Sequence, residues 1–354
     1  MPTTPASSLL AYCRPGFESE SAQELTALDA RCGGGSGYAR AQRDRAHVEY
    51  VLADAQAQQA IAAQAHWRSL IFARQLLCVF GNAQALPTQD RLGVLLPLIE
   101  ADGRRWCDAW VETPDSDATR DLAPLCRGLN AALIAAMKQR RLLERNSRWR
   151  LHLCLTATDA AFLAAADIAQ AAPWPGGIPR LKFPREAPSR STLKLEEALL
   201  VLLDEGERER WLKAGMRAVD LGAAPGGWTW QLVKRSLRVT AVDNGPMDAQ
   251  LMASGLVEHL REDGFHYQPV KAVDWLICDM VEQPRRVAAR IAHWLAQGWC
   301  RHAIFNLKLP MKKRYDEVQL CLDLLRESVP GLRDLRARQL YHDREEITVF
   351  ARIG

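Results

Sequence analysis

Two lysines and a small set of acids stand where elements should begin or end. Lys308 closes the apolar run FNLKLP, Lys194 lies at the first turn of STLKLEEAL, Asp279 ends ICDM, and Glu345 and Glu346 open EEITVF. An amine can accept a proton only in its neutral form, which burial and nearby cations favour and carboxylates oppose, while the acids can orient it. Each residue also has an ordinary explanation. Lys308 could be a snorkelling strand-end side chain. Lys194 could pair with Glu197 at i,i+3 on an exposed helix face. Glu345 and Glu346 could form a solvated acidic strand mouth. Spacing alone does not decide among these, or say which glutamate of the pair faces inward.

A second cluster lies in AVDLGAAPGGWTW, residues 218–230, where Gly222, Gly226 and Gly227 fall within six positions. Glycine is entropically costly, so its density implies a sharp turn and close approach to the backbone. Asp220 ends the preceding apolar run, and Asp243 ends the next one, 23 residues on. That distance suits an acid accepting hydrogen bonds from both ribose hydroxyls of a nucleoside. Dinucleotide binders use G-x-G-x-x-G, whereas this loop reads G-x-x-x-G-G with Pro225 in the turn. Asp263 in REDGF and Asp279 add carboxylates that would repel a pyrophosphate. They suit a cationic, phosphate-free nucleoside such as S-adenosylmethionine ahead of a nicotinamide cofactor or a purely structural turn.

The elements that must position these residues alternate. MRAVDL, LRVTAVD, VDWLICDM, HAIFNLKL and EITVFARI read as strands, and GGWTWQLVKR, VEQPRRVAARIAHWLAQGW and YDEVQLCLDLLRES as helices. Strands alternating with helices of this length imply parallel pairing through right-handed crossovers. The C-terminal half is therefore expected to be a Rossmann-like, doubly wound α/β domain with its ligand at the carboxyl ends of the strands. Before it, residues 171–192 hold five prolines and two glycines and can sustain neither a helix nor a central strand. The N-terminal half mixes strands (HVEYVLA, WRLHLCLTA) with the helical PLCRGLNAALIAAMKQRRLLE, which suggests smaller α+β units. A break near GNAQALPTQDR divides them. The expected layout is 1–85, 86–175, a connector over 176–192, and 193–354. The glycine-rich CGGGSGYARAQ reads as a turn rather than a phosphate loop.

Composition narrows the function classes. A chain of 354 residues with 48% hydrophobic residues builds more than one core and is not disordered. Its net charge of +4 is too small for a protein that works by coating phosphates, yet KQRRLLERNSRWR carries Lys138, Arg140, Arg141, Arg145, Arg148 and Arg150 against Glu144 alone. The connector adds Arg180, Lys182, Arg185 and Arg190. Together these form a candidate RNA surface, with Trp149 and Trp174 available for stacking. Nine dispersed cysteines without C-x-x-C fit a reducing compartment. The eight histidines lack metal-site spacing, so no metal is expected. With no signal-like N-terminus and no run of 18 apolar residues, a cytoplasmic location without membrane association is expected.

The order Lys, Asp, Lys, Glu around DLGAAPGGW resembles the RNA 2'-O-ribose methyltransferases of the FtsJ/RrmJ type. The likeness extends through GIPRLKFP, APSRSTLKLEEA, VDNGPM, LREDGF, FNLKLPMKKRY and ARQLYHDREEITV, dense from about residue 178 onward and patchier over CRPGFE and SLIFARQ. Ala224 departs from the cysteine expected there. The resemblance implies methylation of a cytidine of 23S ribosomal RNA by an adenosylmethionine-dependent domain, preceded by a ferredoxin-like and THUMP-type RNA-holding module. It carries Lys194, Asp279, Lys308 and Glu346 over as a catalytic tetrad with Lys308 as base. Cofactor contacts are carried over to Ser191, the loop Gly222, Ala224, Pro225, Gly226 and Gly227, and Asp243, Asp263 and Asp279. Ser191 also suits a helix N-cap. No stable protein partner is implied, and a monomer is expected. The competing expectations are an RNA-binding factor with an inactive methyltransferase domain and a nicotinamide-dependent oxidoreductase. The protonation state of Lys308 stays open.

Overall fold

The computed structural model describes residues 7–32 and 34–354; residues 1–6 of the N-terminal stretch and Gly33 of the glycine-rich turn lie outside the described residues. The chain forms two compact units, Met1–Pro179 and Arg180–Gly354, with the boundary inside the proline-rich connector.

In the first unit, β1 (Ser8–Tyr12), α1 (Glu18–Cys32), β2 (Tyr38–Ala41), β3 (His47–Val51), α2 (Ala55–Gln64) and β4 (Gln75–Ala83) precede α3 (Arg91–Ala101), β5 (Asp108–Glu112), α4 (Ala123–Gln139), β6 (Trp149–Ala157) and β7 (Ala160–Asp167). One seven-stranded sheet in the order β2-β3-β1-β4-β7-β6-β5 takes in all of these strands. The break expected near residues 81–91 therefore does not interrupt the sheet, because β4 pairs with β1 on one side and β7 on the other. The two parts do fill separate cores. Leu25, Leu28, Tyr50 and Ile61 belong to one, and Leu95, Ile99, Trp106, Leu133 and Met137 to the other.

The second unit runs α5 (Thr192–Leu202), α6 (Glu205–Trp211), β8 (Arg217–Leu221), α7 (Gly227–Val233), β9 (Arg238–Val242), α8 (Ala249–Met252), β10 (Val257–Leu260), β11 (Val273–Cys278), α9 (Pro284–Ala296), β12 (Cys300–Lys308), α10 (Arg314–Ser328), β13 (Leu332–Arg338) and β14 (Glu346–Ile353). The sheet order is β10-β9-β8-β11-β12-β14-β13. From β10 through β12 every pair is parallel. β14 is antiparallel to both neighbours. Strand order reverses between β8 and β11, which opens a crevice at their carboxyl ends. The central strands are apolar and fully covered: Trp275, Leu276, Ile277, Ala303, Ile304 and Phe305 are all buried.

Candidate active site

Four elements bring the tetrad to one edge of this sheet. Lys308 is the last residue of β12, Asp279 follows β11, and Lys194 lies in the first turn of α5. Glu346 arrives differently. Because β14 runs against the other strands, its first residue lies at their carboxyl edge, and the register pairs Glu346 with Lys308. Two residues further in, Asn306 pairs with Thr348, and the two-residue strand period puts this pair on the same face as the first.

Lys308 Nζ donates to Asp279 Oδ1 at 3.1 Å and to Glu346 Oε2. Lys194 Nζ reaches Asp279 Oδ2 at 3.5 Å and pairs with Glu346 Oε1. Two cations and two carboxylates thus alternate, and each carboxylate bridges both lysines. The pairing of Lys194 with Glu197 suggested by i,i+3 spacing is not what this side chain does. Glu197 is buried and accepts from the Tyr341 and His342 backbone N–H groups at 2.8 and 2.9 Å. Glu346 is the inward glutamate; Glu345 is exposed and pairs with Arg314. Burial lowers the Lys308 pKa, but the charges of Asp279 and Glu346 outweigh it and the net direction is upward. Asn306, which the motifs did not flag, donates from Nδ2 to Asp279 Oδ1 at 2.9 Å.

The glycine loop joins β8 to α7. Asp220 is fully buried and accepts from Thr229 Oγ1 at 2.5 Å, so it fastens the start of α7. Burial foremost, with Asp279 and Asp243 adding, pushes its pKa up to about 7. Asp243 accepts from Ala224 N at 3.0 Å and Gly245 N at 2.7 Å, which ties the loop to the end of β9. The Ala224 N–H expected to meet a ligand therefore already has a protein acceptor. Gly226 has φ +116, which L side chains rarely adopt, and Pro225 O accepts from Asp248 N at 3.0 Å. A Cβ on Gly227 would lie 2.2 Å from Ser191 Oγ, so only glycine admits that hydroxyl. Ser191 does not cap α5 through its side chain, which bonds instead to Ser189 Oγ at 2.7 Å. A Cβ on Gly222 would meet Met280 Cγ at 2.9 Å, and one on Gly264 would meet Met280 Sδ at 2.8 Å. The Asp263 loop therefore closes against the same edge, where Asp263 accepts from Phe265 N at 2.8 Å. This edge carries Asp243, Asp263 and Asp279, and residues 221–227 include no basic side chain. These acceptors fit a cationic nucleoside, and the loop itself offers a pyrophosphate no counter-charge.

The basic candidates divide. Lys138, Arg140, Arg141, Arg145 and Arg148 are exposed at and after the end of α4, with Arg140 paired to Glu100 at 2.9 Å and Arg148 to Asp167. Arg150 differs from the rest. It is buried, donates to His152 Nε2 and Ala172 O, and lies 3.4 Å from the Trp110 ring centroid. Its place on an inward-facing position of β6 removes it from the surface. Trp174 packs edge-on against Trp67, and Trp149 lies under Arg104 at 4.9 Å. In the second unit Lys182, Arg185 and Arg190 are exposed, while Arg180 donates to Tyr341 Oη at 3.0 Å.

The strand order, the acid-rimmed glycine loop and the lysine–carboxylate cluster define a Rossmann-like methyltransferase. Consistently, the FtsJ-like methyltransferase family model matches residues 187–323. Two further models match the N-terminal unit: the RlmM ferredoxin-like domain over 6–77, and the N-terminal domain of ribosomal RNA large subunit methyltransferase M over 90–167. Ribosomal RNA large subunit methyltransferase M of Xanthomonas campestris pv. campestris (strain B100) is 54% identical over 98% of this chain and 100% of its own length. The protein of that name from Xanthomonas oryzae pv. oryzae (strain PXO99A) is likewise 54% identical over the same shares. The chain belongs to the ribosomal RNA large subunit methyltransferase M family. Among solved structures, TrmN from Thermus thermophilus is similar at 16% identity over 98% of this chain and 100% of that one, with a TM-score of 0.36.

Proposed function

We propose that this S-adenosylmethionine-dependent ribosomal RNA methyltransferase acts on the ribose 2'-oxygen of a cytidine in 23S RNA, with Lys308 as the base. The observation that carries the proposal is the placement of Lys308 Nζ between Asp279 and Glu346, with Lys194 bridging the same two carboxylates. When bound, S-adenosylmethionine supplies an electrophilic methyl group on a sulfonium. Asp243 would hold the ribose of that nucleoside, Asp263 its rim, and the loop Gly222, Pro225, Gly226 and Gly227 its near face beside Ser191. Lys308 takes the proton from the 2'-hydroxyl, Asp279 aims the amine, and Glu346 sets its distance from Lys194. The tetrad is charge-balanced as it stands, with two lysines against two carboxylates. An added positive charge at this edge favours release of a proton from Lys308, which its carboxylate partners otherwise keep cationic.

Alignment of the 2'-oxygen, the methyl carbon and the sulfonium sulfur, which leaves as a neutral thioether, supplies much of the rate. RNA would be held by Lys138, Arg140, Arg141, Arg145 and Arg148, together with Lys182, Arg185 and Arg190 of the connector. Residues 86–175 would act as its THUMP-type holder. Among the described residues no helix is long and apolar enough to cross a membrane. The decisive experiment is transfer of label from radioactive S-adenosylmethionine to unmodified large-subunit RNA, wild type beside Lys308→Ala, followed by nucleoside digestion. Label in 2'-O-methylcytidine that disappears in the variant is expected. Label on a base, or activity retained by Lys308→Ala, overturns the assignment.

A further inference from the structure

Asp343 lies in the loop between β13 and β14, three residues before Glu346, and is wholly buried. Its Oδ2 lies 2.8 Å from Thr348 Oγ1, and the same hydroxyl oxygen lies 2.6 Å from Asn306 Oδ1. A threonine hydroxyl has one proton to give. Asn306 must turn its Nδ2 toward Asp279, because an amide oxygen at 2.9 Å from that carboxylate would face it lone pair to lone pair. Asn306 Oδ1 then faces Thr348 and can only accept, so the threonine proton goes to the asparagine. The 2.8 Å contact that remains between Thr348 Oγ1 and Asp343 Oδ2 needs a proton of its own, and the carboxyl group is the only source. The second oxygen agrees: Asp343 Oδ1 is buried with no hydrogen-bond partner, a poor setting for an ionised acid.

We propose that Asp343 is a positioning residue for methyl transfer, a neutral carboxylic acid that donates to Thr348, which donates to Asn306, whose amide fixes Asp279. The chain ends on Asp279 Oδ1, the oxygen that also receives Lys308 Nζ. Three oriented hydrogen bonds thus connect a residue that touches no reacting atom to the carboxylate that aims the base. Burial and the neighbouring carboxylates of Glu346 and Glu197 raise the Asp343 pKa well above the ordinary carboxyl range, and Lys194 opposes them without prevailing. Asp343 also accepts from Leu340 N at 3.2 Å, which a protonated oxygen can still do. The Glu197 clamp on Tyr341 and His342 holds the loop that carries it. The inference rests on the reading of Asp279 as the carboxylate that orients Lys308.

Its test combines spectroscopy with kinetics. The wild-type-minus-Asp343→Asn infrared difference spectrum near neutral pH should contain the C=O stretch of a protonated carboxyl group; a carboxylate signal in its place overturns the proposal whatever Lys308 does. In single-turnover methyl transfer, Thr348→Val should lower the rate roughly 10- to 100-fold, the usual cost of losing a supporting hydrogen-bond partner. Its cofactor Kd should not change, and Thr348→Ser should restore the rate. Asp343→Val should show the same loss, and Asp343→Asn, whose amide can donate the same bond, should recover most of it. A Thr348→Val rate equal to wild type, or an Asp343→Asn rate as low as that of Asp343→Val in a natively folded protein, overturns the chain. Activity surviving in Lys308→Ala while the infrared band is present would instead locate the failure in the base assignment.

Discussion

Replacing Glu346 with glutamine keeps the shape of the side chain and removes a charge on which both lysines depend. Glu346 is 4% exposed and contacts Lys308 through one oxygen and Lys194 through the other. Its charge is one of two that hold the Lys308 pKa up against burial. Loss of an adjacent opposite charge disfavours the charged form of an amine, so Glu346→Gln should bring the Lys308 pKa down. A bare pair of unit charges about 3 Å apart at an effective dielectric constant near 20 attracts by roughly 5 kcal/mol. The effect on Lys308 should be smaller than this, because the amine is partly solvated and can turn toward Asp279, while repulsion from Lys194, left with Asp279 alone, acts in the same direction as the lost charge. If Lys308 accepts the proton, the rate rises with pH up to its pKa, so Glu346→Gln should move the rising limb toward lower pH. The plateau should fall as well, because the amide no longer holds the amine against Asp279. Single-turnover methyl transfer to unmodified large-subunit RNA, followed from acidic to alkaline pH with saturating cofactor, reads both quantities. A limb that stays in place or moves to higher pH refutes Lys308 as the titrating base.

Two further outcomes follow from other parts of the molecule. Reversing Arg140, Arg141 and Arg145 to glutamate should weaken RNA binding by about tenfold or more and flatten its salt dependence by about one unit of slope per lost phosphate contact, while cofactor affinity stays unchanged; equal RNA affinity in a titration removes this patch from the interface. His302, stacked on Trp275 with ring centroids 4.6 Å apart, is buried, and its pKa is lowered from 6.5 to about 4. The native state therefore binds fewer protons than the unfolded chain in that window, so the stability His302 contributes is intact above about pH 6.5 and is lost as pH falls toward about 4, roughly 3 kcal/mol in all. Denaturant unfolding at about pH 7 and about pH 5 should show roughly 2 kcal/mol of this fall in the wild type and less in His302→Phe, and equal falls in the two proteins would rule the residue out as its source.

The α/β half was legible because its central strands are continuous apolar runs ending in acids or lysine, and such runs must be covered on both faces. What escaped were the edges. VEHL of β10 and LRDLRAR of β13 alternate charge with apolar residues and stay partly exposed, so nothing in their composition separates them from loops. The four site residues were visible as types at element ends, but their mutual contacts were not, because register is a property of pairing. Asn306 and Thr348 could have been found from the two-residue period, lying two positions inside Lys308 and Glu346 on facing strands. Asp343 gave no such signal; its role depends on a loop folding back under β14. Arg150 misled for a related reason. Its charge counted toward a basic run, whereas the alternation of β6 turns it inward onto Trp110 and His152.

The reversal of β14 has a chemical consequence. In a wholly parallel sheet each strand offers its last residues to the site, and those residues continue into loops that must be steadied separately. β14 offers its first residue, so Glu346 is placed by the loop that precedes it, and that loop is held by Glu197 through the Tyr341 and His342 N–H groups. Glu197 stands one helical turn beyond Lys194 on α5. A single helix thus supplies one lysine of the tetrad and the anchor for the carboxylate that this lysine contacts. Glu346 is thus met from two directions, by Lys194 from α5 and by Lys308 across the β12–β14 register. Burial opposes the charged form of Lys308, and the two carboxylates that meet at its amine outweigh that effect.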